Sequence, residues 1–276
     1  MLEQRVVEGD GQGSEQVGGT PRRFLLACWP FPGHIRPFLS LAVALREAGH
    51  TVAVYTGASV APLVEGEGLT CFPFRRVSED DAYANIAAID SVPQGGRPGS
   101  RLLLKIFRDW MIETIPGQIA DLQPLIDDWR PDVIVTETAM LGPTLILWER
   151  TGIPVAIQST MLGCLIPGHD IPAPGFGLRP PRNTPERLVQ RALVRLGGLA
   201  GRGLRRRVDA IRAEYGLAPL DVTVNEYGAR LPLYLIGSLR ELDYDRHDLP
   251  PSVHYVGPYP WEQAHAGVED APAWLA

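Results

Sequence analysis

The segment Gly33-His34-Ile35-Arg36-Pro37 sets an imidazole between a short apolar run, Arg22–Trp29, and a stretch of helical character. Gly33 permits a tight turn, and Pro37 suits a helix start. His34 is therefore expected to project into a cleft just ahead of a helix N-terminus. The positive end of that helix disfavours imidazolium, which leaves a neutral ring able to accept a proton at about pH 7. A histidine in such a turn also serves as a cap or as a partner for a loop carbonyl, and position alone leaves both readings open. Glu137 is the second candidate, directly after the run Asp132–Thr136. A carboxylate there can hold a histidine's other N–H, fix its tautomer and stabilise the charge formed on proton transfer. Without the histidine it reads as a solvated loop glutamate.

The elements that must position these two residues follow a regular rhythm. Arg22–Trp29 is followed by a turn and then by Phe38, Leu41, Ala42 and Leu45 at helical spacing. Gly49 stops that helix, and Thr51–Tyr55 resumes as a strand. Strand, helix and strand in that order form a right-handed βαβ unit, hence a parallel sheet. Helices are expected at Ala58–Glu67, Gln118–Trp129 and after Pro143; further strands are expected at Leu69–Phe74, Asp132–Thr136, Pro154–Gln158, Leu233–Ile236 and Val253–Val256. The strands are apolar throughout rather than alternating, as when helices cover both faces of a sheet. The expected fold is a doubly wound α/β, Rossmann-like domain with a mostly parallel sheet over residues 22–258. His34 and Glu137 both fall at carboxyl ends of strands, where open α/β sheets bind ligands.

Two stretches break the rhythm. Ser78–Pro116 carries Tyr83, Phe107, Trp110 and Met111 among polar, Gly and Pro residues, and Leu162–Thr184 is rich in Pro and Gly. Long irregular insertions of this kind are commonly functional loops or lids.

Composition narrows the function. A net charge of −6 excludes a general nucleic-acid binder. Cys28, Cys71 and Cys164 are scattered, without a CxxC pair or zinc spacing, which points to a reducing compartment and a cytoplasmic protein. No metal-ligand cluster stands out. Residues 1–21 read as a disordered tail without the apolar core of a signal peptide, and no apolar run is long enough for a bilayer. The first βα turn lacks the G-x-G-x-x-G spacing of a dinucleotide site, and no G-x-S-x-G elbow marks a serine hydrolase. The Arg-rich segment Arg202–Arg212, with Leu188, Val189, Ala192, Leu193 and Leu196 before it, reads as the solvated face of a helix pair. Contact with an anionic membrane is its other reading, weakened by the lack of interfacial aromatics.

The order strand, Pro-x-x-Gly-His-x-x-Pro, helix, Ala-Gly-His-x-Val resembles the opening of the family 1 glycosyltransferases of the GT-B fold, most of all the antibiotic, macrolide-type bacterial enzymes. Arg130-Pro131-Asp132-Val133-Ile134-Val135, Gly152-Ile153-Pro154-Val155 and Leu249–Pro258 extend the resemblance to most of the chain. It implies that His34 deprotonates an acceptor hydroxyl, which then attacks the anomeric carbon of a UDP- or dTDP-sugar with inversion. The supporting carboxylate maps onto Glu137, where the family usually has Asp. No metal or other cofactor is implied. The acceptor, a lipophilic small molecule, would meet Phe31, Gly33, Met140, Leu141, Ser159, Thr160 and Met161, with Tyr83, Phe107, Trp110 and Met111 closing over it. Core packing is the other reading, for Phe107 and Met111 above all. Residues 259–276 read as the start of an interdomain linker, with the nucleotide-sugar-binding donor domain absent or supplied by a separate chain. A non-catalytic glycosyltransferase-like ligand-binding or partner subunit is the alternative function.

Overall fold

The computed structural model describes residues 20–90, 100–159, 161, 165–168, 171–172 and 177–261. The sheet is built from β1 (Arg23–Ala27), β2 (Thr51–Thr56), β3 (Thr70–Pro73), β4 (Val133–Thr136), β5 (Val155–Ser159), β6 (Leu233–Ile236) and β7 (Val253–Tyr255). They pair in the order β3-β2-β1-β4-β5-β6-β7, and every pairing is parallel.

The helices are α1 (Pro32–Glu47), α2 (Ala61–Gly66), α3 (Glu79–Asp90), α4 (Ser100–Ile106), α5 (Ile115–Trp129), α6 (Trp148–Thr151), α7 (Thr184–Ala200), α8 (Arg202–Glu214) and α9 (Val224–Gly228). Alternate strand residues feed two separate cores. Leu26, Cys28, Val52, Val54 and Val135 pack with Ile35, Phe38, Leu39 and Ala42 of α1 on one face. Leu25, Ala27, Tyr55, Ile134 and Ile157 pack with Ile119 and Leu122 of α5 and Val208 and Ile211 of α8 on the other. Burial of both faces explains why the strands read as unbroken apolar runs.

The chain winds from β1 outward to β3, then returns to place β4 on the other side of β1. The connections leaving β1 and β4 therefore diverge, and the crevice between them is the topological switch point of the sheet.

The structure corrects two expectations. Pro37 does not start α1: Pro32 does, with Phe31 as N-cap, and Pro37 lies inside the helix. Proline at the first helical position sacrifices no hydrogen bond, so Pro32 takes the start that Pro37 was expected to supply. The described part of Ser78–Pro116 is helical rather than irregular, with α3 and α4 followed by a wide, π-type turn at Phe107–Ile112. Most of the expected tail, residue 160, part of 162–176 and residues 262–276 lie outside the described residues, Cys164 among them; Cys28 and Cys71 are free thiols.

Candidate active site

The switch point brings together the two residues singled out by their chemistry. His34 sits in the first turn of α1, and Glu137 directly follows β4. β1 and β4 are neighbours in register, with Ala27 opposite Thr136, so the two outgoing segments start side by side. His34 Nδ1 and Glu137 Oε2 are in direct hydrogen-bond contact. The other carboxylate oxygen accepts from the Trp29 backbone N–H at 2.6 Å. Glu137 is only 3% exposed, so both oxygens are held by these fixed donors. His34 keeps a quarter of its side chain exposed. One of its ring nitrogens is thus tied down, and the other, Nε2, makes no hydrogen bond among the described residues.

Burial is the largest single influence on His34 and works to lower its pKa; Coulomb attraction to Glu137 and the hydrogen bond between them act together in the opposite sense. The result is a pKa above the ordinary 6.5. The shift runs opposite to the one expected from the helix terminus alone, because the carboxylate in contact outweighs burial. What results is a stronger base than a free imidazole.

Aromatic rings enclose the histidine. Phe31 and Trp110 meet its ring edge-on at centroid distances of 5.5 and 6.2 Å. Tyr83 stands at right angles to Phe31 at 5.0 Å and directs its hydroxyl to the Pro30 carbonyl. Phe31 and Trp110 thus pack directly on His34, and Tyr83 packs behind Phe31. Gly33 is exposed, with open space where a Cβ would stand. Phe107 is 47% exposed and Met161 52% exposed, so both offer apolar surface, while Met111 packs half-buried against the core.

Three positions offer no such surface. Met140 is fully buried, its carbonyl accepting from the Thr136 hydroxyl, and Leu141 is nearly so. Ser159 is buried, its hydroxyl engaged with the backbone of Met161. These three therefore pack and shape the edge of the crevice from within. Thr160 lies outside the described residues.

Two contributors escape a reading by residue type. Trp29 works through its backbone N–H on Glu137, and its indole donates to the Ala139 carbonyl at 3.2 Å. A tryptophan at the end of a strand signals core, and only the strand register shows that its amide faces the carboxylate. Gln118 of α5, completely buried, accepts from the Gly142 N–H at 2.7 Å and donates to the Thr114 hydroxyl, which donates to the Trp110 carbonyl at 2.6 Å. That relay couples the segment after Glu137 to the turn carrying Trp110. A polar residue on the apolar face of a helix was the available signal. Among the described residues no three His, Cys, Asp or Glu side chains are grouped as a metal site.

A doubly wound parallel sheet with this dyad at its switch point defines a Rossmann-like half of the GT-B kind, and solved glycosyltransferases share its fold. The glycosyltransferase of kitacinnamycin superposes with a TM-score of 0.62 at 21% identity, covering 92% of this chain and 55% of that one. The spinosyn rhamnosyltransferase SpnG, complexed with thymidine diphosphate, gives a TM-score of 0.50 at 19% identity over 85% of this chain and 49% of that one. In sequence, 4'-demethylrebeccamycin synthase of Lentzea aerocolonigenes is 33% identical over 240 residues, 86% of this chain and 56% of its own length. The chain belongs to the glycosyl transferase 4-like domain family, whose match covers residues 33–228. It spans about half the length of these relatives.

Proposed function

We propose that the chain is the acceptor-binding, catalytic-base half of an inverting, nucleotide-sugar-dependent glycosyltransferase acting on a lipophilic natural product. The observation that carries this reading is the state of His34: Nδ1 is fixed by Glu137, Nε2 makes no hydrogen bond among the described residues, and Phe31 and Trp110 pack on the ring, with Tyr83 behind Phe31. The acceptor lies against these rings, with Phe107 and Met161 extending the apolar surface; a flat, ring-rich aglycone fits that lining best. The kinship with a rebeccamycin-type synthase supports natural-product chemistry.

In the reaction, the acceptor hydroxyl gives its proton to His34 Nε2. Its oxygen forms a bond to the anomeric carbon from the face opposite the leaving group. The bond from that carbon to the diphosphate breaks, its electron pair leaves on the nucleoside diphosphate, and the configuration inverts. Glu137 holds the imidazole in the required tautomer and offsets the charge that appears on it. The donor is a UDP- or dTDP-hexose, and the thymidine diphosphate bound by SpnG favours dTDP. Donor contacts come from a second domain, on the same or another chain, and the step uses no metal or further cofactor.

The test is transfer to an aromatic aglycone by the protein carrying both halves, with His34→Ala beside the wild type. The variant is expected to bind the aglycone and to lose roughly 10²–10⁴-fold in rate. Transfer at the wild-type rate would remove His34 as the base. Aglycone binding without transfer in the wild-type, two-half protein would instead make this a binding-only module.

A further inference from the structure

Helix α7 and the start of α8 stand apart from the rest of the molecule in charge and exposure. From Arg179 to Arg212 there are ten arginines and two acidic residues, in a chain whose net charge is −6. Along α7 the dipeptides Arg187-Leu188, Arg191-Ala192 and Arg195-Leu196 recur every four residues. Four-residue spacing keeps side chains on one face, so arginine and aliphatic residues form two adjoining stripes. An ordinary helix on a protein surface turns its aliphatic stripe inward. This one does not: Leu188 is 58%, Val189 59% and Leu196 59% exposed, and Ala192 is exposed as well. Arg191, Arg195 and Arg206 form no ion pair among the described residues, whereas Arg205, Arg207 and Arg212 are paired with Asp209, Glu113 and Glu149.

We infer that α7, with Arg206 of α8, docks on an anionic lipid surface. The aliphatic stripe enters the headgroup boundary, and the arginine stripe beside it meets lipid phosphates. Charge selects the partner: the local excess of positive charge complements an anionic bilayer, although the molecule as a whole would be repelled by one. α7 also contains no aromatic residue, the type that anchors protein interfaces. The same lack makes insertion shallow, so attachment is led by charge and sensitive to salt. A membrane-docked face would place the protein where lipophilic molecules concentrate.

Co-sedimentation with large vesicles tests this on the 276-residue chain, comparing phosphatidylglycerol–phosphatidylcholine mixtures with pure phosphatidylcholine. The wild type is expected to pellet with the anionic vesicles, to stay in solution with the neutral ones, and to be released at high salt. Arg191→Gln with Arg195→Gln is expected to weaken partition roughly thirtyfold, and Leu188→Ser with Leu196→Ser roughly tenfold. All four positions are at the surface, and unchanged circular dichroism checks that both variants fold. No partition of the wild type, or equal partition of wild type and both variants, overturns the inference. So does self-association in sedimentation velocity that the leucine pair abolishes while vesicle binding is absent, since the stripe would then join copies of the chain.

Discussion

At His34, burial and a neighbouring carboxylate pull the same ring in opposite directions, and the carboxylate prevails. As the proposed base, His34 must be neutral to work, so the rate of transfer should rise with pH and level off only above 6.5, the ordinary imidazole value. Glu137→Gln keeps the shape and removes the charge, leaving burial to act alone. The rising limb should then move to lower pH while the plateau falls by roughly 10²–10⁴-fold; a pH–rate profile of the two proteins reads both effects. The sign for stability is the reverse of that for activity. A raised folded-state pKa means that the His34 contribution is complete below about 6.5 and is lost as pH rises through the folded value. Denaturation midpoints across that range should show this slope in the wild type and lack it in His34→Gln. Met140 makes a contrasting case. Being fully buried, Met140→Ala should cost about 2–5 kcal/mol in chemical denaturation and leave acceptor affinity nearly unchanged.

Elements place these residues through a few buried polar ties. Arg212 of α8 is almost completely buried and donates to the carbonyls of Leu145 and Ala218 and to Glu149, which also accepts from Tyr227 of α9. Arg212→Met should destabilise by on the order of 3 kcal/mol, because three acceptors are left to find new partners; urea unfolding measures it. Gln118→Ala breaks the relay between Gly142 and Trp110 and should cost about 2 kcal/mol by the same measurement, with a change in Trp fluorescence that reports the loosened turn. The strands were legible in the sequence because both sheet faces are buried, so Leu25–Cys28 and Val133–Thr136 stand out as apolar runs. His34 and Glu137 were legible because each directly follows such a run or its turn. Trp29 and Gln118 were not, since their parts depend on which backbone amide lies opposite which oxygen, a matter of register between residues about 20 to 110 positions apart. The helical form of Glu79–Asp90, Ser100–Ile106 and Phe107–Ile112 was hidden for another reason. The apolar residues there divide between the core, as Ala82, Ile106 and Ile112 do, and exposed positions such as Tyr83 and Phe107, which blurs the helical period.

Across the whole molecule, order should decline from the centre of the sheet toward α7. β1 and β4 have strands on both sides and helices on both faces, while α7 is exposed along most of its length. Hydrogen-exchange mass spectrometry should find the slowest amides in β1 and β4 and fast exchange through α7 in the absence of lipid. No helix among the described residues is long and apolar enough to cross a membrane.

The dyad and its aromatic enclosure reach the crevice by different routes. His34, Phe31 and Glu137 are carried by the connections after β1 and β4, whereas Tyr83 and Trp110 both belong to one uninterrupted stretch between β3 and α5. That stretch is contiguous in sequence and separate from the connections that carry the dyad. Under the proposed function, exchanging it among kindred proteins would recast the surface met by the incoming molecule while His34 and Glu137 stay on their own connections. The Trp110 ring and its tie through Gln118 are the two points that an exchange has to preserve.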